Sequence, residues 1–481
     1  MLSVGYERSL FVDGSWSEGR ARVDVVHKYT RKPFASVSLA GPENVASAAE
    51  SAKRAVEHAP LAPSERYAFL KDLAGLVREH RDALASTLSI ETGKPLAEAK
   101  SETERCAYVL ELSAEEARNL GGEAVPINAA KGLENRVAFT LRTPVGVVAA
   151  ITPFNAPLVL LAHKLGPAIA GGNAVLVKPA LETPCATIEL FRLIERTGLP
   201  TGYVHLLQGG ADVGNAMVTD PRVDLVSFTG SARAGSEILR NAGLKRVLLE
   251  LGNNSAAIVA PDVDLDEVSS IVCRQSFGYA GQVCISLQRT YVHRSIAERF
   301  IELLANKTRS LVVGDPSLPE TNVGPMLREA DAERVERWVD DAIAGGARLV
   351  CGGRRNGATY EPTILTDVQP AMKVVCEEIF GPVVSVIPFD DYRDVVDAVN
   401  AGPYGLQAGI FTSNIDLAFE LARKLRMGAI MVNDGPLFRA DAMPYGGIKS
   451  SGLGREGPKY LVREMTHERL IILNLKQPSG F

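Results

Sequence analysis

The chain has 481 residues, of which 46% are hydrophobic and 23% charged, and its formal net charge is -5. These are ordinary values for a globular protein with two or three cores, and the interspersed charges give no basic surface for a nucleic acid. Glu7 and Arg8 stand where a signal peptide needs an apolar core, and prolines interrupt the apolar stretch 144–162, which predicts a buried strand, a loop and a helix start instead of a membrane span.

The six cysteines show neither a C-x-x-C pair nor a regular spacing: Cys106, Cys185, Cys273, Cys284, Cys351 and Cys376. A disulfide framework and a zinc site both need such a spacing, so no metal site is predicted. Free thiols are typical of proteins in a reducing compartment, and the expected location is therefore the cytoplasm.

Apolar periodicity divides the chain into strands and helices in a regular order. A short strand at 9–16 comes first, and helices at 43–58 and 64–80 follow. From residue 145 onward, strands at 174–177, 204–207, 224–228 and 247–251 alternate with helices at 183–196, 211–219 and 232–242. A second block with the same alternation covers 251–446, with helices at 330–345 and 417–425, and a short apolar tail follows at 470–473.

Strands that alternate with helices at this spacing are typical of a doubly wound parallel sheet. Because the alternation occurs in two blocks, the expected fold class is α/β, with two Rossmann-like domains and a cleft between them. The Gly-rich segment 444–456 interrupts the alternation before the tail.

Cys284 stands in the Gly-rich stretch F-G-Y-A-G-Q-V-C-I-S. A cysteine reacts as its thiolate, so it needs access to substrate and a lowered pKa. Most buried cysteines of cytosolic proteins are inert packing residues, and the other five lie in helical or strand-like segments where that interpretation holds. Gly278, Gly281 and Gln282 fit a core helix poorly, so Cys284 is the candidate nucleophile.

Two further side chains suit the same chemistry. Glu250 ends the apolar run K-R-V-L-L-E, where a carboxylate is either half of a buried salt bridge or a base at a cleft. A base at this place needs a pKa raised by apolar surroundings. Asn155, in T-P-F-N-A-P, is either a turn former or an amide that joins the backbone N–H of Cys284 in an oxyanion hole.

The order of these three residues, together with the motifs around them, resembles the aldehyde dehydrogenase superfamily over nearly the whole chain. The matching motifs are T-P-F-N-A-P at 152–157, L-E-L-G at 249–252, the stretch around Cys284, and M-P-Y-G-G-I-K-S-S-G-L-G-R-E-G at 443–457. The resemblance implies that Cys284 is the nucleophile, Glu250 the general base and Asn155 the oxyanion donor.

The resemblance also implies a domain division and an assembly. Residues 1–120 and 143–249 would form the dinucleotide-binding domain, 250–447 the catalytic domain, and 121–142 with 448–481 a small β element for oligomerisation. A homodimer or a homotetramer is then expected. One departure from the family follows Glu250 at once, since Asn253 and Asn254 replace the usual Gly and Lys.

A dinucleotide site is expected although the strict G-x-G-x-x-G fingerprint is absent. The segment 228–235, F-T-G-S-A-R-A-G, joins a strand to a helix start, and helix N-termini bind phosphate through free N–H groups. Ser231 by itself would be only a helix cap. By resemblance, Lys178 reaches the adenosine ribose and Glu378 the nicotinamide ribose. The full set of expected cofactor contacts is Lys178, Thr229, Gly230, Ser231, Glu378, Phe380, Pro153 and Leu251.

One position bears on the choice between NAD and NADP. Members of the family that prefer NAD often carry an acidic residue three places after the lysine, where it binds ribose hydroxyls and repels a 2′-phosphate. This chain has Leu181 there and Glu182 one place further. NAD is the expected cofactor, and the sequence is compatible with NADP.

The expected reaction is oxidation of an aldehyde to its carboxylic acid through a thiohemiacetal and a thioester on Cys284. The motif at 443–457 is similar to that of the branch acting on lactaldehyde and small semialdehydes. Arg105 and His163 are candidate substrate anchors, although a lone residue of either type on a helix is usually structural or solvated. Val283 is apolar, so the sequence provides no cation beside Cys284 for an anionic substrate.

Three alternatives stay open. A CoA-acylating relative would transfer the acyl group to a thiol, and the retained Glu250 argues against it. A phosphorylating dehydrogenase of the glyceraldehyde-phosphate type would use a histidine base beside its cysteine, and the sequence has no such motif. A catalytically silent binding or structural protein on the same fold would not need Cys284, Glu250 and Asn155 together.

Overall fold

A computed structural model describes Tyr6 and residues 9–475 of the chain. Glu7 and Arg8, on which the expectation about a signal peptide rests, lie outside the described residues, and so does the end of the predicted oligomerisation segment, 476–481. Among the residues that are described, no helix is long and apolar enough to cross a membrane.

The first block of the chain forms a sheet with five parallel strands at its centre. In spatial order its strands are Ser15–Ser17, Leu10–Val12, Val204–Leu206, Ala174–Lys178, Val147–Ile151, Leu225–Thr229, Arg246–Glu250 and Gly452–Leu453. Four of the five central strands are buried at every residue, which explains why they appear in the sequence as continuous apolar runs.

The helices that share a hydrophobic core with this sheet are Pro42–His58, Pro63–Glu79, Arg81–Thr92, Leu96–Asn119, Pro157–Ala170, Cys185–Glu195, Ala211–Thr219, Ala232–Asn241 and Pro458–Glu464. The helix Pro157–Ala170 is buried at all 14 residues. Pro157 opens its first turn, where a missing N–H needs no partner. Asn155 is therefore positioned by a buried helix that starts two residues later.

The second block forms a sheet that is parallel except at one edge. Its strands, in spatial order, are Arg348–Cys351, Thr363–Thr366, Val383–Phe389, Leu287–His293, Ser255–Val259, Gln407–Phe411 and Ala429–Val432. Its helices are Leu265–Phe277, Arg294–Arg309, Glu329–Ala344, Lys373–Cys376, Tyr392–Ala401 and Ile415–Lys424. The expectation of two doubly wound domains is confirmed.

Three small β units complete the fold. The strand Thr466–Asn474 pairs antiparallel with Arg136–Pro144, which also pairs with Ala124–Val125. Two hairpins join Ala21–Val26 to Pro33–Leu39 and Arg355–Asn356 to Thr359–Tyr360.

The segment 448–465 differs from its predicted place beside the small oligomerisation sheet. Gly452–Leu453 extends the first large sheet by pairing with Leu249 and Glu250. The helix Pro458–Glu464 packs on the helices Leu96–Asn119 and Pro157–Ala170. The reason is that Leu461 and Val462 are apolar and enter the first core, so that only Thr466–Asn474 is free to form the small sheet.

The longest helix of the described residues, Leu96–Asn119, has no counterpart among the predicted elements. Its buried stripe consists mainly of small or weakly apolar residues: Ala99, Thr103, Cys106, Ala107, Ser113, Ala114 and Ala117. Such a stripe gives a weak hydrophobic period, although alanine favours helix strongly. The single strand predicted at 9–16 is instead a hairpin of Leu10–Val12 and Ser15–Ser17, because Asp13 and Gly14 adopt left-handed backbone and turn the chain. The other predicted helices and strands agree with the structure to within a few residues.

Candidate active site

The loop that carries Cys284 lies between the helix Leu265–Phe277 and the strand Leu287–His293. Within this loop, the three consecutive residues Tyr279, Ala280 and Gly281 have left-handed backbone, with φ of 48°, 52° and 68°. Each non-glycine residue in this region costs on the order of 1–3 kcal/mol, so surrounding contacts must hold the turn. A glycine is needed at 281, where a Cβ would meet the backbone carbonyl of Gly381.

Tyr279 is the residue that holds this turn. Its ring is fully buried, its backbone N–H donates to Glu98 over 3.1 Å, and its hydroxyl donates to the carbonyl of Thr92 over 2.9 Å. The ammonium of Lys94 lies 4.8 Å from the centre of the ring. The first domain therefore fixes the shape of the loop that carries the cysteine of the second.

Cys284 is partly exposed, and its Sγ lies 3.1 Å from the hydroxyl of Tyr445. Burial raises the pKa of the Cys284 thiol to about 11, and Glu250 and Glu378 act in the same direction. The bond from Tyr445 and the charge of Arg439 lower that pKa. The neighbour in the sequence, Val283, is apolar, and the positive charge that acts on Cys284 comes from Arg439, which lies against the ring of Tyr445.

Asn155 is 6% exposed and directed at the same loop. Its Nδ2 donates to the carbonyl of Gln282 over 2.9 Å, two residues before the cysteine. The side-chain oxygen of Gln282 accepts from the backbone N–H of Leu327 over 2.9 Å, which fixes this part of the loop. The structure thus brings Asn155 and the Cys284 loop together across the domain boundary.

Glu250 ends its strand in a buried position, and its Oε2 has no hydrogen-bond partner among the described residues. Burial raises the pKa of this carboxyl well above its usual range, and the neighbouring Glu456 raises it further. Lys164 and Arg439 oppose the shift. Glu250 therefore combines a raised pKa with a free oxygen, which suits a carboxyl that takes a proton from water.

Glu456 is the charged member of this carboxyl pair. Its two oxygens accept from Lys164 Nζ and from Arg439 Nη2, each over 3.0 Å. These two cations hold the pKa of Glu456 far below its usual range, although the carboxyl is buried. The pKa values of the two neighbouring carboxyls are thereby shifted in opposite directions.

The two candidate substrate anchors meet at one carboxylate. Arg105 binds both oxygens of Asp441, over 2.6 and 3.0 Å, and His163 Nε2 lies 3.0 Å from Oδ1 of the same residue. Burial and the nearby Arg439 lower the pKa of His163 to about 4, so the ring is neutral. His163 Nε2 must then donate to Asp441, and Nδ1 is a buried acceptor without a partner among the described residues.

Four predicted cofactor residues lie at one edge of the first sheet. The strand register puts Lys178 beside Ile151, Ile151 beside Phe228, and Thr229 beside Glu250. Because the carboxyl ends of parallel strands share an edge, Pro153, Lys178, Thr229 and Gly230 follow neighbouring strands there. This edge is where doubly wound sheets bind dinucleotides.

Two polar groups at this edge lack strong protein partners. Thr229 Oγ1 is buried without a hydrogen-bond partner within the described residues. Lys178 is 8% exposed, and its ammonium donates to the carbonyl of Pro179 over 3.2 Å. Burial lowers the pKa of Lys178 to about 8. An uncompensated ammonium and a free hydroxyl suit the sugar and phosphates of a dinucleotide.

The helix Ala232–Asn241 begins at the same edge. Ser231 is its cap and accepts from the N–H of Ala234 over 3.3 Å, so the helix-cap interpretation of Ser231 is correct. The other N–H groups of the first turn can still bind phosphate. Leu251 is buried, and a Cβ at Gly235 would come within 2.6 Å of its side chain, so Leu251 sets the depth at which this helix packs.

The second domain supplies the opposite side of this cleft. Glu378 accepts from the backbone N–H of Asn253 over 2.9 Å, and burial raises its pKa to about 7. Phe380 contacts Phe154 edge to face, with ring centres 5.9 Å apart. Glu377 is exposed, as expected for the neighbour of a functional carboxylate. The predicted cofactor residues thus face one another across the domain boundary, and the residues present fit a dinucleotide.

Comparison with known proteins agrees with this geometry. The model of the aldehyde dehydrogenase family matches residues 16–471. The chain belongs to the aldehyde dehydrogenase family. It is 48% identical over 467 residues to a 3-sulfolactaldehyde dehydrogenase of Priestia aryabhattai, covering 97% of this chain and 98% of that protein.

Solved structures are similar to this aldehyde dehydrogenase over almost its full length. Aldehyde dehydrogenase 21 from Physcomitrella patens, in complex with its reaction product succinate, has a TM-score of 0.95 and 34% identity, with 98% and 99% of the two chains covered. Glyceraldehyde-3-phosphate dehydrogenase from Methanocaldococcus jannaschii, complexed with NADP, has a TM-score of 0.90 and 38% identity, with 94% and 99% covered. The chain is thus an NAD(P)-dependent enzyme that oxidises an aldehyde to an acid.

The sequence interpretation missed four residues of this aldehyde dehydrogenase site: Lys164, Arg439, Tyr445 and Glu456. Tyr445 and Glu456 lie in the Gly-rich segment 444–456. The sequence analysis used this segment as a family motif and assigned no role to its individual side chains. Nothing in the sequence joins Arg439 to Cys284, because the contact is made through Tyr445 and exists only after folding.

Proposed function

We propose that Cys284 is the nucleophile, Asn155 the oxyanion donor and Glu250 the base of this aldehyde dehydrogenase. The observation that carries the proposal is the contact of Asn155 with Gln282, in the loop that presents Cys284. The effect of Glu250 on the pKa of Cys284 supports its closeness to the sulfur. These two observations support a common site for the three residues around the partly exposed sulfur.

The residues act in two stages. The Cys284 thiolate attacks the aldehyde carbon, a C–S bond forms, and the oxygen takes up the charge that the Asn155 amide and the Cys284 backbone N–H stabilise. When bound, the dinucleotide supplies a hydride acceptor, and a thioester remains on Cys284. Glu250, once ionised, takes a proton from water, which attacks the thioester, and the C–S bond breaks with return of the electron pair to sulfur.

The proposed cofactor contacts are those at the two sides of the cleft. Lys178 and Thr229 would hold the ribose and phosphate region, with Gly230 and Ser231 at the helix N-terminus. Glu378 and Phe380 would position the nicotinamide ribose and ring, and Pro153 and Leu251 would line the floor. We propose with this the domain division predicted from the sequence. The dinucleotide-binding domain ends at residue 249, and the catalytic domain begins at residue 250.

Both NAD and NADP are proposed cofactors. Position 181 is Leu, which neither binds ribose hydroxyls nor repels a 2′-phosphate. The carboxylate of Glu182 is engaged by Arg328, and its carbonyl accepts from Lys28 over 2.9 Å. No carboxylate of this segment is therefore free to oppose the 2′-phosphate beside Lys178.

The proposed substrate is a short aldehyde with an anionic group. The hydrogen-bonded groups behind Cys284 comprise three cations, Arg105, Lys164 and Arg439, and two carboxylates, Asp441 and Glu456. With His163 neutral, these five groups carry one positive charge in excess. The names of the relatives point in the same direction, since sulfolactaldehyde, succinate and glyceraldehyde 3-phosphate all carry an anion.

Arg105 and His163 are the proposed anchors of this substrate. The side chain of Arg105 is 36% exposed, so its guanidinium can meet an anionic tail while it stays paired with Asp441. The His163 side chain has no exposed surface, so His163 would act on the substrate through Asp441, which it holds beside Arg105.

Matched substrates test this proposal. Rates of reduced-dinucleotide formation would be compared for butanal with succinic semialdehyde, which adds a carboxylate, and for lactaldehyde with sulfolactaldehyde, which adds a sulfonate. We expect kcat/KM to rise at least about tenfold with the anion. Arg105→Gln should remove most of this preference and Arg105→Lys should keep part of it. Equal rates within both pairs would refute the anionic class but not aldehyde oxidation.

We also propose a homodimer or homotetramer in the cytoplasm. The small sheet exposes Leu141, Leu470, Ile472 and Leu473, each about half exposed, which is unusual for a free surface. Light scattering of the wild type and of an Ile472→Asp variant would test this role. The six free cysteines are in accord with a reducing compartment.

A further inference from the structure

The hydroxyl of Tyr445 is the one described protein group with a hydrogen bond to the sulfur of Cys284, over 3.1 Å. Tyr445 is 2% exposed, and its ring packs with Ile285 and Leu406. A thiol can donate to a hydroxyl or accept from it, but a thiolate can only accept. Whenever the sulfur is charged, the proton of this bond must therefore belong to Tyr445.

Arg439 lies behind the same ring. Its guanidinium carbon is 3.8 Å from the centre of the Tyr445 ring, and its Nη2 donates to Glu456 over 3.0 Å. Glu456 also pairs with Tyr445 through the backbone, since the Tyr445 N–H donates to the Glu456 carbonyl over 3.1 Å and the Glu456 N–H donates back over 2.6 Å. A cation on the face of a phenol draws electron density from the ring and strengthens its O–H as a donor.

We propose that Tyr445 is a further catalytic residue, whose hydroxyl stabilises negative charge on the sulfur of Cys284, and that Arg439 is the positioning residue that makes it a stronger donor. The charge arises twice. The sulfur is ionised before it attacks the aldehyde carbon, and the electron pair of the C–S bond returns to it when water cleaves the thioester. The inference rests on the proposed role of Cys284.

The electrostatics of the buried groups favour this direction of the bond. Burial raises the pKa of the Tyr445 hydroxyl well above its usual range, so it keeps its proton at neutral pH. Burial also raises the pKa of the Cys284 thiol, and Tyr445 and Arg439 are the groups that lower it. Without them, a nucleophile in this position would be ionised even less.

Alkylation by iodoacetamide, followed from pH 6 to pH 11 and read at Cys284 by mass spectrometry, tests the role of Tyr445. Tyr445→Phe keeps the ring and removes the hydroxyl. A hydrogen bond to a charged acceptor corresponds to about 1–2 pKa units, so we expect alkylation of Cys284 to be about 10–100 times slower at pH 8. In the same samples the exposed Cys376 should react at an unchanged rate.

Tyr360→Phe is the matched control, because Tyr360 is equally buried in the core of the second domain but lies in another segment. Its Cys284 profile should equal that of the wild type. Coincident profiles for wild type and Tyr445→Phe would overturn the proposal, as would an equal slowing at Cys376, which would indicate a general change of the fold.

A pair of variants tests the role of Arg439. The same pair also tests the stabilisation of the Cys284 thiolate if Tyr445→Phe fails to fold. Arg439→Gln should slow alkylation of Cys284 by about two- to tenfold, and Arg439→Lys, which keeps the charge, should restore most of the rate. Equal profiles for the Gln and Lys variants would exclude the electrostatic role. Iodoacetamide is neutral, so the effect of Arg439 on an anionic substrate does not enter.

A different measurement, aldehyde oxidation by Cys284→Ala, tests the proposed role of Cys284 as the nucleophile. Cys284→Ala should abolish aldehyde oxidation, whereas the alkylation experiment measures only the ionisation of the sulfur. A variant set with the expected alkylation profiles but with an active Cys284→Ala enzyme would contradict the nucleophile and leave the Tyr445 bond intact.

Discussion

The side-chain amide of Asn155 donates to the backbone carbonyl of Gln282 over 2.9 Å and so joins the dinucleotide-binding domain to the loop that presents Cys284. This bond uses one of the two N–H groups of the amide. The second N–H group is available to the oxyanion that forms on the aldehyde oxygen when Cys284 attacks the carbonyl carbon. The proposed oxyanion hole therefore depends on a contact between domains, and on the helix Pro157–Ala170 that follows Asn155.

Replacement of Asn155 by Ala should lower kcat by about 10²–10³, because one donor of the oxyanion hole is lost. Binding of the dinucleotide, measured by calorimetry, should change little, since Asn155 is not among the proposed cofactor contacts. Asn155→Asp has nearly the same shape but no N–H donor and should be at least as slow. A change confined to KM would indicate a role in substrate binding instead.

Glu250→Gln should separate the two stages of the reaction. Gln cannot take a proton from water, so we expect a burst of about one reduced dinucleotide per active site, followed by slow turnover. The burst is measured by stopped-flow absorbance, and the acyl group on Cys284 by mass spectrometry. Glu237→Gln, on the exposed face of the helix Ala232–Asn241, is the control and should not show a burst.

The same experiment addresses the CoA-acylating alternative. Addition of CoA should leave the slow phase of Glu250→Gln and the turnover of the wild type unchanged, and the product should be the free acid. Formation of an acyl-CoA by the wild type would assign the second stage to thiol transfer and would remove Glu250 from the role of base.

The choice of cofactor can be tested at position 181. Leu181→Glu introduces a carboxylate three places after Lys178, where it would face a 2′-phosphate. Like charges brought together at an interface cost several kcal/mol, so kcat/KM with NADP should fall at least about tenfold. The value with NAD should change little, and Leu181→Gln should keep both activities. An equal loss with both cofactors would mean that position 181 acts on the fold of the segment.

The sequence was sufficient for the parts of the fold with a strong local signal. Buried parallel strands such as Ala174–Lys178 are continuous apolar runs, and the end of one such run indicated Glu250, whereas Lys178 came from the family resemblance. The helix Leu96–Asn119 gave no such signal, since its buried side is built from small residues whose hydrophobic period is weak.

The charge state of the site could not be predicted in the same way. His163 was a candidate substrate anchor in the sequence, and only the structure shows that burial and Arg439 make its ring neutral. Val283 suggested that no cation stands near Cys284, whereas Arg439 reaches it through Tyr445. These electrostatic contacts join residues far apart in the chain. The type of residue next to the nucleophile in the sequence therefore does not predict which charges lie near it after folding.

The pKa of Glu378 makes a prediction about stability and pH. Burial raises it to about 7 in the folded protein, so the protonated form is favoured by folding. Its contribution is present in full below the unfolded pKa of about 4.3 and is lost as pH rises through about 7. Glu378→Gln, which stays neutral and keeps an oxygen for the Asn253 N–H, should therefore unfold with a weaker pH dependence than the wild type.

The measurement for Glu378 is the midpoint of thermal unfolding of the apoenzyme between pH 5 and pH 8.5. The free energy of unfolding of Glu378→Gln should gain on that of the wild type between pH 5 and pH 7, by an amount on the order of 1–3 kcal/mol, and the difference should level off above pH 7. Glu377→Gln is the matched control, because Glu377 is exposed. Parallel curves for wild type and Glu378→Gln would contradict the raised pKa.

Glu102 connects the stability of the fold to the site. One of its buried oxygens pairs with Lys94, and the other accepts from the backbone N–H groups of Leu158 and Val159, over 3.0 and 3.4 Å, at the start of the helix that follows Asn155. Glu102→Ala leaves the charge of Lys94 buried and two N–H groups without an acceptor. It should therefore destabilise the protein by about 3–5 kcal/mol, measured by urea unfolding.

A double variant separates the two functions of Glu102. Lys94→Met with Glu102→Leu removes both charges, and replacement of a buried ion pair by apolar residues is often neutral, so much of the stability should return. The N–H groups of Leu158 and Val159 stay without an acceptor, and Asn155 loses its fixed support. We therefore expect kcat to remain low in the double variant even where its unfolding midpoint recovers. Recovery of both together would mean that Glu102 contributes only through its charge.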